Sequence, residues 1–548
     1  MRRQKYCIAV LFALLAFLAY GTLAAAKTPF VEFGVVRQKC SVCHRLDDKG
    51  RVEVIEETRK TPEEWMNVVS RMIRINGAPI NDDEFHAVIK ELSQHLIVTP
   101  KEMAEVAYYT SEENSQFRER SSLMKSDTEK RIFQACVRCH AYGKILSHKK
   151  TKEQWVENMH MHLGYYPTVV PQLREMDWPK EAMELADVLA KMFPKDTPEF
   201  DAWMKARKQE DLAGEWKIAG YQPGVGCYDG TYTFTANAKK GEDEYIVKRS
   251  VRFENGTAMK QEGSATLYGE FHLRYALAAT ALTGRVEGVF NLDAAKQGFT
   301  GKWWTVVQDT NAYGNEALYR GKGAPRVFAV FPQAVKATGA GQSVTMIGVN
   351  LPTAIGAGDV QFADPNVKVG KLQKVDSTKL VLEVVAAKSA AVGPSAIKIK
   401  GVACDESLVV FDKVDGITIL PALGRARVAS GAAYPPHGVQ FVARGVHYGK
   451  DGKAETEDDM ILEPVDAQWV LEERKTRDND DDLKILETSI LNGLYVPVTT
   501  FGPVETRFQR REGIGMINVV ASSTVDGKQM KASAILCVTD PDFVTHIK

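Results

Sequence analysis

Cys40-Ser41-Val42-Cys43-His44 and Cys136-Val137-Arg138-Cys139-His140 are two copies of one pattern, CxxCH, and their reading decides the N-terminal fold. Two thiols three positions apart reach the two vinyl groups of one haem and form thioethers with it. The histidine that follows swings beneath the ring and gives the iron its proximal nitrogen. A redox CxxC pair or a four-cysteine zinc site uses the same cysteines but needs no histidine directly after each pair. The doubled motif predicts two covalently bound haem c groups, attached through Cys40, Cys43, Cys136 and Cys139, with His44 and His140 on the iron.

The similarity extends beyond the motifs. Thr61-Pro62-Glu63-Glu64-Trp65 follows the first and Thr151-Lys152-Glu153-Gln154-Trp155 the second, with each Thr expected to N-cap a helix. From Trp65 the helix reads WMNVVSRM to Met72, and from Trp155 it reads WVENMHMH to His162. Met72 and His162 thus stand at the same place in two copies of one unit, almost two turns below the tryptophan on one helix face. The chain then turns at Asn76-Gly77-Ala78-Pro79 or at Gly164-Tyr165-Tyr166-Pro167, and a second amphipathic helix follows, Asp82–Leu96 or Pro179–Phe193. A lone Met or His on such a helix is ordinarily a core or surface residue. Here each iron needs a sixth partner, and the matched position predicts Met72 as distal ligand of the first haem and His162 of the second. Met66, Met159, His160, His148, His86 and His95 are the alternatives.

The chain has 548 residues, 44% hydrophobic and 26% charged, enough apolar material for several cores, since a single core stops growing near about 250–300 residues. Lys+Arg 70 balances Asp+Glu 70, which gives no nucleic-acid footprint and no polybasic membrane anchor. The start, MRRQKYCIAVLFALLAFLAYGTLAAAKTPF, has a basic head, an apolar run and Ala24-x-Ala26. It reads as a secretory signal peptide over 1–26, and the mature chain is expected outside the cytoplasm. An uncleaved anchor would call for stop-transfer charges after the run, and none follow.

A charged helix around Asp201–Glu210 precedes a change of composition to alternating Thr, Val and aromatic residues with glycine turns. The expected organisation is multidomain: an all-α dihaem cytochrome c domain over 27–210, then three antiparallel all-β domains. These are a barrel-like domain over 211–322 and immunoglobulin-like sandwiches over 323–421 and 422–548. The acidic stretches around Asp451–Asp459 and Asp478–Asp482 lack the alternating oxygens and distant Glu of a calcium loop and read as solvated turns. Cys227, Cys404 and Cys537 fall in the β region as buried thiols or as members of one disulfide. Serine-histidine-aspartate constellations, phosphate loops and zinc-protease motifs are absent from the sequence, and no catalytic residue is assigned to this chain.

With its doubled CxxCH unit, TPEEW leading to Met72, TKEQW leading to His162 and three trailing β domains, the chain resembles the α subunits of quinohaemoprotein amine dehydrogenases over essentially all of its mature length. The resemblance implies a periplasmic heterotrimer with a β-propeller subunit and a small subunit that bears cysteine tryptophylquinone. Primary amines would be oxidatively deaminated on that small subunit. Electrons would leave through the two haems of this chain to a soluble cytochrome c or blue copper protein.

Two other classes compete. A self-sufficient dihaem enzyme such as a peroxidase would leave one iron open, whereas each unit here offers a ligand at the matched place. A cytochrome tethered to carbohydrate-binding β modules would call for a cluster of exposed aromatics, which the β region does not display.

Overall fold

The computed structural model describes residues 33–103, 126–138, 140, 142–167, 169–173, 175–241, 243–280, 284–293, 295–305, 312–427, 437–476, 480–486, 489–497, 504–505, 510–511 and 515–539. The signal peptide expected over 1–26 and Cys139 lie outside these residues.

The two halves of the N-terminal region repeat one helical arrangement. In the first, α1 (Val35–Cys40), α2 (Pro62–Arg74) and α3 (Asp82–His95) correspond to α4 (Asp127–Cys136), α5 (Lys152–Tyr165) and α6 (Trp178–Met192) in the second. Trp65 and Val69, one turn apart on α2, pack against Val88, Ile89 and Leu92 of α3; Trp155 and Met159 of α5 pack in the same way against Ala182, Leu185 and Leu189 of α6. Each indole N–H donates to the carbonyl just after its partner helix, Trp65 to Leu96 at 3.1 Å and Trp155 to Phe193 at 3.4 Å. A buried aromatic of this kind costs about 3–5 kcal/mol when cut to alanine.

The capping differs between the copies. The Thr151 hydroxyl accepts from the Gln154 N–H at 3.3 Å, but Thr61 occupies the N-cap position without a side-chain capping bond. Pro62 at the start of α2 already presets the helical φ, and Glu63 and Glu64 favour the positive end of the helix.

The all-α expectation for this region is corrected. Strand β1 (Thr58–Arg59) pairs antiparallel with β2 (Lys149–Lys150), placing Thr58 opposite Lys150 and Arg59 opposite Lys149. Parallel bridges join Lys60 to Ile97 and Lys150 to Pro194. The residues just ahead of each N-cap must be extended, and buried between two units their peptide groups pair with one another. Among the described residues strands dominate helices.

Eight antiparallel strands between Gly214 and Arg320 close a barrel, the last (Tyr313–Arg320) pairing with the first (Gly214–Gln222). A Cβ on Gly230 or Gly263 would come within 2.0 Å of Ser250 O or 1.9 Å of Ala276 O, so glycine lets adjacent strands coil tightly enough to close. Next comes a sandwich of two four-stranded sheets, and then a final region whose largest sheet has four strands. The expectation of purely antiparallel β domains is also corrected: Ala334–Lys336 pairs in parallel with Val402–Phe411, and Leu423–Arg427 with Lys528–Thr539. Both parallel pairs join strands far apart in the chain, which no hairpin pattern encodes.

Each helical unit rests on a different β region. The first meets the barrel through Arg274, whose Nη2 lies 2.6 Å from Glu63, and through His86, 2.7 Å from Glu244. The second takes Leu423 and Cys537 of the final region into its own core.

Candidate haem site

Helices α1 and α4 each end on the first cysteine of a CxxCH motif. Beyond α1 the chain keeps turning, with the Cys43 N–H 3.1 Å and the His44 N–H 2.9 Å from the Cys40 carbonyl. This tight turn brings both thiols and the following imidazole to one place. Cys40, Cys43 and Cys136 are free thiols. Burial, followed by the nearby Glu91 carboxylate and Cys43, pushes Cys40 up to about 11, and burial raises Cys136 to about 12.

A continuous cavity of about 380 Å³ runs between the units and touches Cys40, Cys43, His44 and Met72 on one side and Cys136, His140 and His162 on the other. Met72 sits near the end of α2; its carbonyl accepts from the Asn76 and Ala78 N–H groups at 3.2 and 3.0 Å, and its sulfur lies 3.7 Å from Asn76 Nδ2. In the second unit the His140 and His162 rings lie close together, their centroids 6.4 Å apart and their planes tilted by 50°. Two imidazoles bound trans to one metal, each nitrogen about 2 Å from it, hold their centroids about 6 Å apart. The spacing fits an iron between them.

The surroundings of His162 hold its ring in place. Its Nδ1 lies 2.6 Å from the Asn158 carbonyl one turn back on α5, which leaves Nε2 to face the cavity side. Trp178 at 5.7 Å and Tyr166 at 6.0 Å flank the ring. Burial brings His162 down to about 4 and lowers His44 as well, so both imidazoles are held in the neutral, metal-binding form.

The alternative ligands have other engagements. His148 lies 3.3 Å from Glu64 and His86 2.7 Å from Glu244; the exposed His160 is 3.7 Å from Glu157. His95 meets the Phe33 ring edge-on at 5.4 Å, and Met66 and Met159 pack in the cores of their units. Cys227 and Cys404 are free thiols, and the Cys537 thiol donates to the Arg138 carbonyl.

The region from 32 to 200 matches the family described as quinohemoprotein amine dehydrogenase A, alpha subunit, haem binding. The stretches 209–318, 324–412 and 417–547 match domains II, III and IV of the same alpha subunit, in that order. The chain belongs to the quinohaemoprotein amine dehydrogenase α-subunit family. Membership makes it a haem-binding subunit of an oxidoreductase complex that contains other subunits. Among curated proteins, none matches the sequence.

Similar solved structures include a redesigned β-barrel, mFAP1, bound to DFHBI, at 18% identity over 20% of this chain and 94% of that one, with a TM-score of 0.18. The cadherin-like domains 1 to 4 of zebrafish RET are 10% identical over 59% of this chain and 65% of theirs, with a TM-score of 0.16. A SusE-like surface polysaccharide-binding protein from Bacteroides thetaiotaomicron is 10% identical over 56% and 54%, with a TM-score of 0.12. At these values the likeness carries no argument about this chain. Among the described residues, no helix is long and apolar enough to cross a membrane.

Sequence reasoning missed Lys60 and Lys150, which line the cavity. A signal was present: both lysines directly precede the N-cap threonine, so extending the repeat backward by one residue finds them.

Proposed function

We propose that the chain is the electron-transfer subunit of a periplasmic amine dehydrogenase, carrying one haem c on Cys40 and Cys43 and a second on Cys136 and Cys139. His44 and Met72 ligate the first iron, and His140 and His162 the second. Haem iron, when bound, accepts and releases one electron at a time, which suits the stepwise discharge of a two-electron organic cofactor.

The observation that carries the reading is the closeness of the His140 and His162 rings, 6.4 Å between centroids, beside the second CxxCH motif. The Asn158 carbonyl fixes the tautomer and tilt of His162, while the turn at Asn76–Ala78 anchors the end of α2 that bears Met72. A thioether ligand favours the reduced iron more than a second imidazole does. The His44/Met72 unit therefore holds the electron more strongly, and transfer runs from the second unit to the first. The cavity that touches both CxxCH motifs supports a short path between the two haems. The partners in this reading are a β-propeller subunit, a small subunit bearing cysteine tryptophylquinone, where primary amines are deaminated, and a soluble cytochrome c or blue copper acceptor.

Purification of the untagged protein from its native periplasm, with haem staining and mass spectrometry of every co-purifying band, tests this. Two covalent haems on this chain and a small, crosslinked, quinone-positive companion are expected. A lone haem-stained chain with peroxide turnover would sink the reading.

A further inference from the structure

Lys60 and Lys150 occupy equivalent positions in the two units, and both are almost fully buried, 6% and 5% exposed. Each follows or belongs to one of the paired strands β1 and β2, and both line the one cavity between the units. Each also lies over the tryptophan of its own unit: Lys60 Nζ is 5.6 Å from the Trp65 ring centre and Lys150 Nζ 5.0 Å from that of Trp155. Lys150 additionally donates to the Asn158 side-chain oxygen.

Two buried lysines on one cavity can both carry charge only if an anion joins them there. The protein supplies little of it. Of the other basic residues on the cavity lining, Lys39 pairs with Glu84 and Arg138 with Glu175, while Arg71, Arg74 and Lys144 share the cavity with the carboxylates Glu64 and Glu157. Glu64 is already engaged by His148 at 3.3 Å and Lys144 at 3.6 Å. Burial drives Lys60 down to about 8 and Lys150 well below its ordinary value, with Glu64 offsetting only part of the cost. A haem brings two carboxylates on one edge of its ring, and the cavity that holds the lysines is the one that touches both CxxCH motifs.

We propose that Lys60 and Lys150 form one anion-binding site at the junction of the units that takes a propionate carboxylate from each haem. The proposal rests on the dihaem reading above and adds the contact that turns the carboxylate edges of both haems toward the β1–β2 strand pair. The paired lysines also raise both reduction potentials, because a fixed cation favours the iron state with one less positive charge.

The test uses the full chain matured with haem, as wild type and as K60Q, K150Q, K60R and K150R, with covalent haem counted by mass. In the Gln variants the midpoint potentials of both haems should fall, and the propionate bending bands in resonance Raman spectra should shift. The Arg variants should keep wild-type values. Two covalent haems with unmoved potentials and bands in K60Q and K150Q would overturn the proposal. A crystal structure of the loaded wild type decides it even where a variant fails to fold. Propionate oxygens in hydrogen-bonding contact with both Nζ atoms support the proposal, and a free anion or Glu64 in that place refutes it. Wild type without covalent haem would refute the underlying reading instead.

Discussion

Arg425 and Cys537 are direct register partners on two parallel strands, and they donate to consecutive carbonyls of the second attachment loop, Arg425 Nε to Val137 at 2.9 Å and Cys537 Sγ to Arg138 at 3.2 Å. Parallel pairing aligns the two donors side by side, matching neighbouring peptide groups between Cys136 and His140. The final β region thereby grips the second CxxCH loop by its backbone. The first loop is placed differently, with Val42 68% exposed.

Replacing Arg425 with Met should remove a charged donor and leave the Val137 carbonyl short of a partner, costing about 1–3 kcal/mol; Cys537→Ala should cost about 1 kcal/mol. Denaturant unfolding of the loaded chain, followed at the absorbance of each haem, checks this. The signal of the second unit should shift to lower denaturant while that of the first stays in place.

His162→Ala should open one coordination position in the second unit alone. The expected readout is a half-stoichiometric high-spin signal that binds carbon monoxide, with the first unit unchanged. Met72→His should lower the potential of the first unit by a sizeable part of the roughly 0.8 V range that axial ligands span, and each ~59 mV costs about tenfold in the one-electron equilibrium. Spectroelectrochemistry resolves the two. A vacant site in the unmodified protein would instead favour the peroxidase alternative.

Arg59, fully buried, pairs bidentately with Glu102, both contacts at 2.7 Å, and Thr197 donates to the same carboxylate at 2.8 Å. Burial by itself raises Glu102, but Arg59 overrides it and brings the group from 4.5 down to about 2. A folded pKa below the unfolded one means that the stabilisation is complete above about pH 4.5 and is lost as pH falls toward 2. That difference corresponds to about 3 kcal/mol. Glu102→Gln should cost about 3–5 kcal/mol at neutral pH, because Arg59 stays buried without its counter-charge, and should flatten the acid limb of a stability–pH curve.

Inside the barrel, Glu316 accepts from Tyr228 at 2.8 Å, Tyr232 at 3.0 Å and Arg249 Nε at 3.0 Å, with Arg249 and Glu316 both shut away from solvent. Glu316→Ala should destabilise the barrel by about 3–5 kcal/mol. The double variant R249M/E316A should lose clearly less than the sum of the singles, a coupling of up to about 3 kcal/mol in a thermal or denaturant cycle. Additive losses would show that the tyrosines alone carry the network.

What the sequence determined by itself is what local chemistry and helical periodicity encode. Each CxxCH motif is a pattern of five neighbouring residues, and the spacing from Trp65 to Met72 and from Trp155 to His162 follows from the turn of one helix. The family was legible for the same reason, in motif and domain order. The tertiary structure alone decided which groups meet across distance. The two-residue strands β1 and β2 are too short to display any period, so the all-α expectation missed the junction where Lys60 meets Lys150. Parallel pairing brought Arg425 and Cys537 onto a loop 288 and 399 residues upstream of them, and closure of the barrel joined Tyr313–Arg320 to Gly214–Gln222. Such contacts depend on the register of separate elements packing together, and a pattern read along the chain holds no record of it.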